Sequence, residues 1–323
     1  MIIFNYSKYK DIICDNEILG YISQIHEFKG KLSSIELKNK AKINKLVEIA
    51  KIQSTEASNK IEGIVTTATR IKQICENKIT PKNRDEKEIL GYRNVLNTIH
   101  ENYEFIPVKS SYILQLHGDL YKFSEKSIGG KFKNVQNYIS ETRADGGSFV
   151  RFQPLEPYET PDAIDRLCEE FNIAISKDDV DPLILIPIFI LDFLCIHPFN
   201  AGNGRMSRLL TLLLLYKQEY NVGKYISIEK IIEETKGRYY DALQLSSTNW
   251  LDNSNNPTEF IKYMLSVILK AYRDFETRAN ILVEKKSKAI AQIQNIIKTK
   301  IGKFTKADVV VLCPTLSETT IER

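Results

Sequence analysis

Two apolar helical runs, residues 181–196 and 209–216, flank a polar segment of a kind few folds can hold: His197-Pro-Phe-Asn-Ala-Gly-Asn-Gly-Arg-Met-Ser-Arg208. The chain must place an imidazole, a two-glycine turn and two guanidiniums between two helices. The pattern reads as an anion-binding loop that opens a helix. Glycines let the backbone approach an oxyanion closely, and the first free N–H groups of the helix point at it. Arg205 and Arg208 are spaced i, i+3 and leave one helix face near that start. Two cations there repel each other and oppose the helix dipole, a cost that a bound polyanion reverses. His197 lies just upstream, where it can take a proton from an incoming hydroxyl.

Other phosphate-binding loops do not fit. Gly202-x-Gly204 opens like a dinucleotide fingerprint, but Ser207 stands where the third glycine belongs and the preceding run is helical. Gly129-Gly130-Lys131-Phe132 is not a loop ending in Gly-Lys-Ser/Thr. Taken whole, the segment resembles the signature of the Fic family: His, any residue, Phe, any residue, Asp or Glu, Gly-Asn-Gly-Arg, two of any kind, Arg. Every fixed position matches except the acid, which is Ala201 here.

The resemblance implies an all-α, Fic-type helical bundle with one β-hairpin flap. It implies a nucleotidyltransferase that moves AMP from ATP, its substrate, to a Ser, Thr or Tyr hydroxyl of a target protein. His197 is then the general base. Gly202, Asn203 and Gly204 cradle the α- and β-phosphates through backbone N–H groups and the Asn side chain. Arg205 takes the β-phosphate and Arg208 the γ-phosphate, which suits the fork geometry of arginine. Phe199 anchors the loop inward. In the family the acid at position 201 coordinates Mg²⁺. A methyl group cannot ligate a hard cation, so weak metal binding and slow turnover are expected, with no direct protein ligand for Mg²⁺. Either Ala201 is a natural variant or an acid was replaced there.

Ser58-Asn-Lys-Ile-Glu62-Gly63 is similar to the family's inhibitory pattern of Ser or Thr, three residues, Glu, then Gly or Asn. Glu62 falls in the last turn of a predicted helix and Gly63 is a C-cap. A carboxylate there opposes the helix dipole and needs a partner. The resemblance supplies Arg208, whose pairing with Glu62 denies the γ-phosphate its site. Further on, Tyr240 and Leu243 in Tyr239-Tyr-Asp-Ala-Leu match the helix that lines the family's adenine pocket.

The 323 residues suffice for about two domains and a sizeable core. We divide them into an N-terminal helical region with the inhibitory helix (1–105), a Fic core (106–283) and a C-terminal module (284–323). Helical periodicity covers 16–28, 34–54, 68–77, 85–103, 110–123, 162–175, 203–220, 236–246 and 257–282. Runs 135–140 and 148–152 flank the turn signal Ala144-Asp-Gly-Gly147. By resemblance this flap, about 134–152, holds the target segment by strand pairing. There is no signal peptide and no apolar run of membrane-spanning length, so no membrane partner is expected. Five scattered cysteines read as reduced thiols of a cytoplasmic protein. No Cys/His group has zinc spacing, and His26, His100 and His117 sit apart as structural or exposed residues.

Residues 284–323 carry eight Lys/Arg and four Asp/Glu, a net +4 that equals the charge of the whole chain. Helical patterns at 287–298 and 306–312, then Ser317 as a cap, resemble the opening of a winged helix-turn-helix. The pattern stops within the third helix, as expected of a truncated or clipped chain. When complete, such a module admits electrostatic, salt-sensitive DNA contact. A homodimer is also open. The leading reading is therefore an autoinhibited protein adenylyltransferase, impaired at Ala201. The rivals are a catalytically weak nucleotide- and DNA-binding regulator, and a related enzyme that transfers other phosphate groups or removes AMP, with Glu62 positioning water.

Overall fold

The computed structural model describes residues 2–124, 128–142, 148–283, 305–313 and 318–322, with the single positions 293, 296 and 316. Among them the architecture is helical with one two-stranded hairpin. Helix α1 (Asn16–Ile61) is capped by Asp15, whose carboxylate accepts from the N–H groups of Glu17 and Ile18. The expected break between residues 28 and 34 is absent, and α1 runs as one helix of 46 residues. Gly30 costs about 1 kcal/mol in a helix interior. That is offset where apolar residues on either side of it, such as Ile25 and Leu32, are buried in one core. The end of α1 falls at the Ser58–Gly63 motif: Glu62 is the capping residue and Gly63 follows with φ 76°.

Helices α2 (Ala68–Cys75), α3 (Arg84–Asn102) and α4 (Ser110–Leu120) follow, with Thr67 and Asn83 capping the first two. Strands β1 (Ile139–Thr142) and β2 (Ser148–Phe152) pair antiparallel, with a bulge between Ile139 and Ser140. This is the expected flap, but its turn signal at 144–147 lies outside the described residues. Helix α5 (Thr160–Lys177) leads to α6 (Pro182–Ile196), in which every residue from Leu183 to Ile196 is buried. That all-round burial explains why the run lacks a polar face and why Pro187 is held inside a helix. Helix α7 (Asn203–Lys217) packs against α6 at the centre of the molecule. Then come α8 (Ile228–Glu234), α9 (Lys236–Ser247) and α10 (Thr258–Val283). The short α8 has no counterpart among the sequence-predicted helices. Its start is marked only by Ser227, which accepts from the Lys230 N–H.

The tail holds α11 (Lys306–Leu312), with a Thr305–Asp308 capping box, and α12 (Glu318–Glu322). Ile296, Val309 and Cys313 form a small apolar cluster there, apart from the main core. Most of the expected helix at 287–298, and the cap at Ser317, lie outside the described residues. Cys75, Cys168, Cys195 and Cys313 are unpaired. No helix among the described residues is long and apolar enough to cross a membrane.

Candidate active site

Helix α6 ends at Ile196, and His197 caps it in the left-handed region with φ 52°. Its N–H donates to Phe193 O at 3.0 Å, and its Nδ1 lies 3.3 Å from Leu194 O. A carbonyl can only accept, so Nδ1 carries the proton and the Nε2 lone pair is left for chemistry. Burial pushes the imidazole down to about 4, with Lys133 adding to the effect and Leu194 O and Glu62 opposing it. The ring is neutral at pH 7, the state a base requires.

The loop beyond His197 is folded by its own side chains. Asn203 Oδ1 accepts from the Phe199 N–H at 2.9 Å, and its Nδ2 donates to Phe199 O at 2.7 Å. The Asn203 side chain, assigned a phosphate from sequence, is thus committed to closing the loop. Phe199 is fully buried and stacks on His117 with ring centroids 3.7 Å apart. Gly130 N–H donates to His117 Nδ1, so Nε2 carries the proton and donates to Ala201 O at 3.0 Å. Gly202 holds φ 85°, and a Cβ there would also come within 2.9 Å of Tyr121 Oη. Both the backbone and the Tyr121 ring therefore demand glycine.

The two arginines of α7 diverge. Arg208, 3% exposed, reaches α1: Nε donates to Ser58 Oγ at 2.8 Å, and Nη2 to Ser58 O at 2.9 Å and Glu62 Oε1 at 2.7 Å. Arg205, 2% exposed, takes other partners: Nη2 bonds Glu88 Oε2 and Tyr121 Oη, both at 2.7 Å, and Nη1 bonds Asn59 Oδ1 at 3.3 Å. Each cation expected to await a polyanion already has a carboxylate from its own chain. Arg205 lies beneath the loop and outside the wall of the cavity described next. The two leave the same face of α7 and both reach α1, at Asn59 and Ser58, but their carboxylate partners differ: Glu88 on α3 for Arg205 and Glu62 for Arg208.

A cavity of about 560 Å³ opens beside the loop. His197, Gly204 and Arg208 line it with Glu62, and Tyr239, Tyr240, Leu243, Gln244 and Ser247 of α9 form another part of the wall. Ile139 and Phe152 bring in the hairpin, as does Arg151, whose Nη2 donates to Tyr240 O at 3.0 Å. Glu62 lies so close to the start of α7 that a Cβ on Gly204 would collide with its Oε1. The carboxylate therefore sits at a helix N-terminus, where an external anion would be favoured. Burial works against its ionisation, but Arg208, Arg205 and Lys236 outweigh it and hold the carboxyl below its ordinary range. Lys236 Nζ also donates to Ile61 O at 2.9 Å, tying the end of α1 to the start of the Tyr240 helix.

The donor set does not suit a divalent cation at the loop. Ala201 presents a methyl group, and its carbonyl is taken by His117. Among the described residues no three His, Cys, Asp or Glu side chains cluster to hold a metal. Of the two carboxylates in the cavity wall, Asp241 is on α9 and Glu62 is bound to Arg208.

Sequence reasoning thus brings His197, Gly204, Arg208, Glu62, Tyr240 and Leu243 to one cavity. It missed Glu88, Tyr121 and Lys133, and it grouped His117 with the structural or exposed histidines without naming what it supports. No local pattern marks them, because each acts on a partner far away in the chain.

Residues 107–215 match the family model described as the Fic/DOC family. The chain is 25% identical over 289 residues to "Protein adenylyltransferase Fic" of Drosophila mojavensis, covering 85% of this chain and 52% of that protein. Its counterpart in Nematostella vectensis is 26% identical over 216 residues, 63% of this chain and 45% of that one. The chain thus spans about half the length of the curated relatives it matches. Among solved structures, a Fic family protein from Desulfovibrio desulfuricans superposes with a TM-score of 0.66 at 18% identity, over 95% of this chain and 86% of that one. A Fic domain containing signaling protein from Bacteroides thetaiotaomicron gives 0.65 at 22% identity, over 82% and 98%.

Proposed function

We propose, from the premise that this chain carries a domain of the Fic/DOC family, that it is a protein adenylyltransferase held off by its own α1. The observation that carries this reading is the single cavity in which His197, the start of α7 and Arg208 meet Tyr240 and Leu243, with Glu62 across the phosphate end. The base would stack on the α9 wall, and the triphosphate would run toward the helix N-terminus and Arg208. A Ser, Thr or Tyr hydroxyl of a target strand on the hairpin would face the α-phosphorus. Its oxygen forms a bond to that phosphorus as His197 Nε2 takes its proton. The bond from the α-phosphorus to the bridging oxygen breaks, and pyrophosphate leaves. The nearby phosphates favour the imidazolium form, raising a base that is weak in the empty site.

No step is routed through a metal, because position 201 offers no ligand. With Glu62 on Arg208 the γ-phosphate has no seat, so ATP binding must displace the end of α1. Arg205 in this reading shapes the loop from beneath. DNA contact by the tail and pairing of two copies stay outside the mechanism.

The test is labelling of target or self with ATP radioactive at the α- or the γ-phosphate. Adenylyl transfer leaves α-label and no γ-label on protein; γ-label on protein would replace this reading with a kinase-like one. The rival reading of Glu62 as a water-positioning group has its own support, since Glu62 shares the cavity with His197. It predicts release of AMP from a pre-modified protein, lost in Glu62→Gly.

A further inference from the structure

The stretch before β1 is stitched to the loop that carries His197. Lys133 N–H donates to Pro198 O at 2.8 Å, and Lys133 Nζ donates to Ile196 O at 3.0 Å. Asn137 Nδ2 donates to Phe199 O, and Asn200 Nδ2 to Asn134 Oδ1, both at 2.9 Å. Carbonyls on both sides of His197 are therefore held by one residue. His197 needs such support. It is a non-glycine in the left-handed region, a conformation costing on the order of 1 kcal/mol that persists only where its surroundings impose it. Ile196 is the last residue of α6, and its carbonyl belongs to the helix end that lacks an internal partner.

Lys133 is an unusual residue to find there. It is 3% exposed, and no carboxylate is within salt-bridge distance of it among the described residues. Its ammonium rests on the negative end of the α6 dipole, where a cation is favoured. The cavity wall does not include it, so it does not touch the nucleotide space.

We infer that Lys133 is the positioning residue of His197: its buried ammonium caps α6 at Ile196 and, with its own N–H on Pro198 O, fixes the imidazole over the cavity. The inference rests on the reading of His197 as the base. Burial holds the ring near 4 together with Lys133; the backbone carbonyl of Leu194 and the carboxylate of Glu62 act in the opposite direction. Burial also brings Lys133 itself down to about 8, with Glu156 as the opposing charge.

The experiment compares the full chain with Lys133→Gln, Lys133→Met and Lys133→Arg. His197 is titrated by NMR on the protein with labelled histidine, its signal assigned among the four histidines by its absence in His197→Ala. In Lys133→Gln and Lys133→Met the His197 titration should move up from about 4 toward the ordinary histidine value. Lys133→Arg should leave it in place. Adenylyl transfer should fall roughly tenfold or more in kcat with KM for ATP unchanged, and the acid limb of the rate profile should follow the NMR titration. An unmoved His197 titration in the folded Gln variant overturns the inference, and so does a Gln variant that fails to fold, since Lys133 would then be a stability residue. Absence of transfer in every form, with the titration shifted as expected, overturns the adenylyltransferase reading and leaves the role of Lys133 standing.

Discussion

Removing the Glu62 carboxylate should make the empty protein less stable and the nucleotide-bound protein easier to form. Glu62→Gly deletes the 2.7 Å bond to Arg208 Nη2 and leaves that guanidinium with the hydroxyl and carbonyl of Ser58 as partners. Breaking a fully buried pair by deleting one partner costs about 3–5 kcal/mol. The Glu62 side chain is 32% exposed against 3% for Arg208, so water offsets part of the loss and about 1–3 kcal/mol is expected. Glycine adds a further conformational cost, since Glu62 caps the helix at φ −88°, where any residue is comfortable, and glycine loses more backbone freedom on folding. The freed guanidinium and helix N-terminus then accept the triphosphate without first displacing an anion. The same 1–3 kcal/mol corresponds to roughly a five- to 150-fold gain in ATP affinity. The assay is thermal unfolding with and without ATP, beside calorimetric titration, for Glu62→Gly and for Glu62→Gln, which keeps the shape and loses the charge. The signature is a crossing: a lower Tm when empty and a larger rise with ATP, graded from Gln to Gly. Unchanged ATP affinity in both variants would show that Glu62 does not compete with phosphate.

His197→Ala should abolish transfer, a general base being worth roughly 10²–10⁴-fold, while ATP binding measured by calorimetry stays close to that of the parent; labelling at the parental rate removes the role of the imidazole. Ala201→Asp should raise ATP affinity only with Mg²⁺ present and leave it unchanged or lower in chelator, where two negative groups meet unscreened; equal Mg²⁺ dependence in both proteins would show that another group supplies the ligand. Stability should climb with pH between about 4 and 6.5. Burial lowers His197 and His117 to about 4 and His100 to about 3, so the unfolded chain binds three more protons there, while Asp192, raised by burial to about 7, binds one more when folded. The net of two protons gives a slope of up to about 2.7 kcal/mol per pH unit, read from urea unfolding at a series of pH values; a flat or falling profile would mean that these histidines are charged in the fold.

The loop could be read from the amino-acid order alone, because its constraints are local. A two-glycine turn opening a helix and two arginines one turn apart are properties of twelve consecutive residues, legible wherever the chain runs. Ser58 to Gly63 was legible for the same reason, as a helix end with a carboxylate that needs a partner. The apolar run 181–196 read as a helix, and α6 is that helix; its burial on every side came only with the fold. Which charges meet was set by packing. Arg205 chose Glu88 and Tyr121, 117 and 84 residues away in sequence, and so left the cavity wall. His117 became the support of Phe199 and Ala201, and Lys133 the cap of Ile196. The continuity of α1 through Gly30 was settled by burial on both sides of it. A buried charge or an orphan carbonyl selects whatever partner packing brings within 3 Å, and that distance is set by how helices cross, not by any spacing along the chain.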